Sequence, residues 1–265
     1  NSTTGGLSFT TAPDFESPED SNADNIYQLS IQVSDGEANA TLNVSVSVQD
    51  KYEPSKENHT VELNASVGLK MIWVEPGTFM MGQSGVANAE PEHNVTLTKG
   101  FYLGKYEVTQ SQYEAVMTGN TDGLSATPSN FGGNPNKPVE KVSWNDVQVF
   151  LTRLNEQQSE NLPNGWAYIL PTEAQWEYAC RAGTTTAYSW GDTISATDAN
   201  WDHGADANQT EDVGLYTANS WGFFDMHGNV REWTADWYAT YSTGTQTDPE
   251  GPAAGSYRAR RDGSW

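Results

Sequence analysis

The sequence of 265 residues holds a single cysteine, Cys180. One thiol closes no disulfide within the chain and builds no multi-thiolate metal site. Basic residues are scarce as well: 13 Lys and Arg stand against 35 Asp and Glu, so 13 − 35 gives a net charge of −22. A polyanion repels phosphate backbones, which argues against nucleic acid as a partner. No apolar run reaches the roughly 18 residues of a membrane-crossing helix, so no membrane insertion is expected from these residues. Asn1-Ser2-Thr3-Thr4 lacks a charged-then-apolar leader, so any secretion signal is expected to lie outside the sequence given or never to have been present. His59, His93, His203 and His227 are scattered without ligand spacing, and no local motif suggests a Ser–His–acid set. No catalytic residue is assigned.

What is present is an aromatic, glycine-rich folding chain. Ten Trp and 24 Gly exclude a disordered polyanion, and the length suits one or two domains. The acids are uneven: residues 1–60 carry ten acids and two lysines, net −8. Such acids are either a solvating surface or carboxylates held for hard cations. Tyr27, Leu29, Ile31 and Val33 alternate with polar residues, and Leu42, Val44, Val46 and Val48 do so after a Ser34-Asp35-Gly36-Glu37 turn. That pattern predicts a hairpin with one buried face, part of a larger sandwich because two strands alone are barely stable.

Around this hairpin, Ala12-Pro13-Asp14-Phe15-Glu16, Val33-Ser34-Asp35-Gly36 and Val48-Gln49-Asp50-Lys51-Tyr52-Glu53-Pro54 resemble the second half of a bacterial cadherin-like repeat. The resemblance covers residues 1–54 and implies Ca²⁺ held by Asp14, Glu16 and Asp50. Solvated turn acids are the plainer alternative.

Residues 55–68 read as a linker or first strand. Met71–Val74 and Thr78–Met81 then flank a Glu75-Pro76-Gly77 turn, a strand–turn–strand pattern. Three hydroxyl residues each precede an apolar helical pattern by one turn: Thr109 with Gln112, Ser143 with Asp146, and Thr172 with Gln175. A hydroxyl that accepts from an orphan N–H, answered by a side chain three residues on, closes a helix N-terminus. The third helix is expected to stop at Gly183 and to pack Cys180 on its apolar face, as an inert thiol rather than a nucleophile. From Thr184 onward the chain is rich in Gly, Asn, Asp and Trp with little periodicity, which a compact domain tolerates when function or bound ions order it.

From residue 69 to 265 the order of motifs resembles the sulfatase-modifying-factor family, the formylglycine-generating-enzyme type. The motifs are Met71–Gly82, Tyr106-Glu107-Val108-Thr109, Pro138–Trp144, Leu170–Gly183, Gly228-Asn229-Val230-Arg231-Glu232-Trp233 and Arg258–Trp265. The resemblance implies an irregular, C-type-lectin-like α+β fold ordered by Ca²⁺, after the partial all-β segment, with the domain continuing past Trp265. It implies one Ca²⁺ site from the side chains of Asp225 and Glu232 with the carbonyls of Gly228 and Val230. A second would use Asn200, the carbonyl of Trp201, and Asp206.

The family's active members oxidise a substrate cysteine to formylglycine with O₂ and a Cu(I) held by two cysteines just past the Gly-Ser-aromatic motif. Gly263-Ser264-Trp265 ends the sequence, so that pair is not among these residues. Arg231, Arg260 and Asp262 stand where the family usually has Trp, a Leu-like residue and Gly. An arginine at a buried, unpaired position costs several kcal/mol, on the order of 2–7 for polar burial, and Asp in place of Gly strains a left-handed backbone. Two functions follow from the resemblance: oxidation of a cysteine in a sulfatase-like protein substrate, or a non-catalytic, Ca²⁺-ordered module binding protein or glycan. The implied Ca²⁺ sites point to an extracytoplasmic location.

Overall fold

The computed structural model describes residues 26–34, 36–48, 56–202 and 209–264. The chain forms two compact units, Asn1–Ser55 and Lys56–Trp265. In the smaller, β1 (Ile26–Ser34) and β2 (Asn39–Ser47) pair antiparallel, and Gly36 turns with φ +97°. Tyr27 opposes Val46, Leu29 opposes Val44 and Ile31 opposes Leu42, so the alternating apolar residues share a face as the period of two requires. The expected burial of that face is incomplete: Leu29 is 40% exposed, Val33 65% and Leu42 61%. A hairpin cannot cover itself, and the described residues supply no second layer.

Among the described residues, the larger unit has three small sheets and three helices. Within the stretch read as linker or first strand, β3 (His59–Glu62) pairs with β4 (Gly68–Val74) and buries Val61. The Glu75-Pro76 corner does not fold β4 back on β5 (Gly77–Met81). Instead β4 lies between β3 and β7 (Phe101–Gly104), while β5 pairs with β6 (His93–Leu97), which also takes β9 (Gln246–Thr247) in parallel. The third sheet is the ribbon of β8 (Glu232–Trp237) and β10 (Arg258–Arg261).

Helices α1 (Gln110–Met117), α2 (Trp144–Gln157) and α3 (Glu173–Arg181) start at the three expected hydroxyl residues, each with a complete capping box. The last ends one residue earlier than expected, with Ala182 already left-handed at φ 46° and Gly183 continuing so at 87°. Two apolar cores result. Val61, Leu69 and Met71 pack on α1 and α2, with Tyr113 stacked on Phe150. Ile72, Val74, Val95 and Leu97 pack on α3 with Phe223 and Met226. The second core anchors the irregular chain after α3, in which β8, β9 and β10 are the strands among the described residues.

Candidate functional site

The site grows from the segment 225–232, where the chain leaves the second core and enters β8. Asp225 and Asn229 both have left-handed backbones, φ 57° and 68°. Gly228 is required by contact: a Cβ there would stand 2.3 Å from the Asn200 carbonyl oxygen. Asn229, 2% exposed, then becomes a hub. Its N–H donates to the Asn200 carbonyl at 2.7 Å, and its Nδ2 donates to Glu107 Oε2 at 2.7 Å and to the Glu211 carbonyl at 3.2 Å. Its Oδ1 accepts from the Glu211 N–H at 2.9 Å and from Asn200 Nδ2 at 3.3 Å. Glu107 Oε1 accepts from the Val230 N–H at 2.9 Å, which fixes the same turn from the other side.

Four carboxyl groups around this turn act on one another electrostatically: Glu107, Asp225, Glu232 and Asp262. Asp225 Oδ2 accepts from the Gly214 N–H at 2.7 Å, and Asp262 Oδ2 accepts from the Gly228 N–H at 2.9 Å. Burial raises all four, and the charges that act on them are carboxylates. Asp225 is pushed up to about 6 by burial with Glu211 adding, and Glu232 to about 7 by burial with Asp225 adding. Glu107 and Asp262 are held well above the carboxylate range, first by burial and then by Glu232. The Trp176 indole N–H, buried and without an acceptor at bonding distance, pulls Glu232 the other way.

The donor set decides which cation such a place suits. Among the described residues no three His, Cys, Asp or Glu side chains converge closely enough to chelate a metal. Two carboxylates, Asp225 and Glu232, lie on one turn with the carbonyls of Gly228 and Val230, and neither carbonyl accepts a hydrogen bond among the described residues. Carboxylates mixed with spare carbonyls fit Ca²⁺, which takes six to eight oxygens in loops. Asn200 of the second set of expected ligands lies against the first through Gly228 and Asn229, its Nδ2 also donating to the Gln209 carbonyl at 3.0 Å. Trp201 follows it at intermediate burial. Asp206, Asp14, Glu16 and Asp50 lie outside the described residues.

Cys180 is buried on α3, its Sγ donating to the Met226 carbonyl at 3.4 Å and standing 3.5 Å from His227 Nε2. Burial pushes the thiol up and pulls His227 down to about 4, with Arg181 adding to the latter. His227 Nε2 already accepts from the Ser189 N–H at 3.1 Å. A high-pKa thiol beside a weak base is a packed pair, not an activated nucleophile. A small cleft opens next to it, lined by Ser189, Trp190, Asp198, Tyr216, Asp225 and His227 among others.

The three departures separate. Arg231 and Arg260 are exposed, so no burial cost arises at either. Asp262 does have the left-handed backbone a Gly would favour, φ 75°. Glu107, Asn229 and Asp262 were not assigned to the site from sequence. The signal for Glu107 and Asn229 was there, since each lies inside a quoted motif, but a motif does not say which motifs touch.

Residues 57–265 match the family described as "Sulfatase-modifying factor enzyme 1-like domain". The chain is 31% identical over 249 residues to the chaperone protein LppX of Paenibacillus barcinonensis, covering 76% of this chain and 80% of that protein. It is 34% identical over 155 residues to the formylglycine-generating enzyme of Thermomonospora curvata, covering 52% of this chain and 47% of the enzyme. Among solved structures, Treponema denticola variable protein 1 superposes with a TM-score of 0.68 at 26% identity, over 80% of this chain and 88% of that one. PvdO from Pseudomonas aeruginosa gives 0.65 at 24% identity over 80% and 88%, a likeness of fold.

Proposed function

Because this chain belongs to the sulfatase-modifying factor enzyme 1-like family, we propose that its larger unit is a Ca²⁺-ordered domain that engages a protein substrate. The observation that supports this best is the turn 225–232, where Asp225 and Glu232 lie on one turn with the carbonyls of Gly228 and Val230, which accept no hydrogen bond among the described residues. Bound Ca²⁺ would neutralise those carboxylates and order the chain between α3 and β8. Asn229 and Glu107 hold the turn in shape, Gly228 lets it lie on Asn200, and Asp225 is braced by Gly214. Asn200, the Trp201 carbonyl and Asp206 remain the proposed second site.

Oxidation of a substrate cysteine to formylglycine is the activity implied by kinship with the formylglycine-generating enzymes. The residues present do not fit the Cu(I) that chemistry uses: the sequence has one cysteine, and its thiol is buried against His227. That activity would therefore need a cysteine pair from outside these 265 residues. The second reading is a Ca²⁺-ordered, C-type-lectin-like binding or adhesion module. It is favoured by the β1–β2 hairpin, whose alternation suits the cadherin-like repeat proposed for residues 1–54, with Asp14, Glu16 and Asp50 as Ca²⁺ ligands. An extracytoplasmic location completes that proposal, since millimolar Ca²⁺ is found outside cells.

The test is one titration and one assay. Calorimetry of the chelator-stripped chain with CaCl₂ should show binding that Asp225→Asn weakens at least tenfold; absent binding refutes the Ca²⁺ reading. The parent protein, loaded with Cu(I) and given O₂ and a cysteine peptide, should yield an aldehyde captured by hydrazide if it is the oxidase. No aldehyde leaves the binding module.

A further inference from the structure

The β8–β10 ribbon has two faces of opposite character. Trp237 opposes Arg258, Trp233 opposes Arg260 and Glu232 opposes Arg261. Directly opposed residues share a face, and alternate residues along a strand share it too. One face therefore carries Thr234, Asp236 and Ala259, which are 0%, 5% and 2% exposed. The other carries Trp233, Trp237, Arg258 and Arg260, and Arg231 extends it two residues before Trp233. Arg231 and Arg260 are exposed, and Arg258, Trp233 and Trp237 are half-buried.

On that outer face Arg258 and Arg260 lie over aromatic rings and are not paired with acids among the described residues. The Arg258 guanidinium lies 3.8 Å from the Trp144 ring and 3.7 Å from the Trp237 ring, and Arg260 lies 5.5 Å from Trp233. Among the described residues none of Arg231, Arg258 and Arg260 has a carboxylate within ion-pairing distance. Three uncompensated cations on one face are unexpected in a chain of net charge −22, where acids outnumber bases 35 to 13. Stacking engages the flat sides of a guanidinium and leaves its donor edges free. Arg258 Nη1 gives one donor to the Ala235 carbonyl at 2.6 Å. A guanidinium held in this way loses little freedom when its remaining edge takes a carboxylate in a two-point contact.

We infer that this outer face is a docking surface for an acidic, extended peptide segment of a partner protein. Charge complementarity selects the carboxylates. The ribbon's geometry selects a polypeptide. Arg258 and Arg260 stand two residues apart on β10, as do Arg231 and Trp233 along the chain entering β8, about 7 Å along a strand, which is the spacing of alternate side chains in an extended peptide. Tyr257, 75% exposed, and Tyr238, 45% exposed, lie at the end of the ribbon, joined by the Tyr238 N–H to Tyr257 carbonyl bond of 2.8 Å, and would lengthen the contact. The inference does not depend on Cu(I) or on formylglycine formation.

The experiment is fluorescence anisotropy of the whole chain, in Ca²⁺, with labelled peptides of about nine residues alternating Glu and Thr. The Glu peptide should bind at low salt and weaken when salt screens the charges. The same peptide with Gln for Glu should bind at least tenfold more weakly. Arg231→Gln with Arg260→Gln should lose at least tenfold with an unchanged melting temperature, and the paired Lys variants should retain part of the binding. Equal binding of the Glu and Gln peptides would overturn the inference. So would unaltered Glu-peptide binding by the double Gln variant, or binding of a sulfated oligosaccharide with none of the Glu peptide.

Discussion

Arg261 Nη2 donates to Glu177 Oε2 across 2.6 Å and so ties strand β10 to helix α3. Glu177 is only 3% exposed, and its other oxygen accepts from Arg181 Nε at 2.8 Å and from the Gly82 N–H at 2.9 Å. Arg261 Nη1 also reaches Glu173 at 3.1 Å and Tyr241 at 2.9 Å. One carboxylate thus holds three chain segments together. Removing a single partner from such a group strands the charges that remain. Glu177→Gln should cost about 3 kcal/mol or more. At the size of this unit that is a fall in Tm of roughly 6–12 °C. Thermal melts of the two proteins check it, and a shift within error would mean that the arginines find other partners.

The local elements were legible because their causes are local. Thr109, Ser143 and Thr172 each stand three residues before a side chain that can answer, and each closes a helix. Alternation in 27–33 and 42–48 specified the β1–β2 register in the same way. The Glu75-Pro76-Gly77 turn was read correctly as a break between strands, yet its strands enter different sheets. Partner choice there depends on β6 and β7, more than ten residues downstream of β5, and no local signal carries it. At the candidate site, Asp225 and Glu232 were implied by the family resemblance of the 228–233 motif, not by any local physical signal. Glu107 lies 122 residues before Asn229, and only the folded chain brings its carboxylate to that amide.

The crowded carboxyls predict an inverted response to pH in the absence of divalent cation. Asp225, Asp236 and Glu232 are raised to about 6, 6 and 7, first by burial, and burial also holds Glu107 and Asp262 well above the carboxylate range. A carboxyl with a folded pKa above its unfolded value, about 4, binds protons more tightly when folded. Its contribution is full below the unfolded pKa and is lost as pH rises through the folded one. His227, lowered to about 4, works the other way and loses its contribution as pH falls below about 6.5. Five carboxyls outnumber one imidazole. In chelator the chain should therefore melt higher at pH 5 than at pH 8, and CaCl₂ should raise the pH 8 transition and barely move the pH 5 one. A chelated protein that is more stable at pH 8 would count against the carboxyl cluster.

Asp262 combines a left-handed backbone, φ 75°, with an enclosed carboxyl beside Glu232. Asp262→Gly removes the backbone strain, about 1 kcal/mol, and one of the crowded charges. It also removes the acceptor of the Gly228 N–H, a loss of about 1 kcal/mol. At pH 8 in chelator the charge relief should win and raise the melting temperature. Because burial raises this carboxyl, it takes up its proton more readily than a free one, and the gain should shrink as the pH is lowered toward 5. Paired melts at the two pH values test this, and destabilisation at pH 8 would show that the bond to Gly228 outweighs both other effects.

Gly228 tests the architecture of the turn without altering any charge. A methyl group there would meet the Asn200 carbonyl oxygen at 2.3 Å and its carbon at 2.9 Å, both rigid backbone atoms. Since the Asn229 N–H bonds to that same carbonyl, Gly228→Ala must push the two segments apart and stretch the 2.7 Å bond. Overpacking of this kind costs about 1–3 kcal/mol. Gly263 has an ordinary backbone and nothing within 4 Å of its would-be Cβ, so Gly263→Ala is the matched control and should be nearly neutral. If the turn is what gathers the Ca²⁺ ligands, Gly228→Ala should also weaken Ca²⁺ binding in calorimetry while Gly263→Ala leaves it intact. Equal Ca²⁺ affinity in all three proteins would separate the cation from this turn, because Asp225, Gly228, Val230 and Glu232 cannot keep their positions once Gly228 has moved off Asn200.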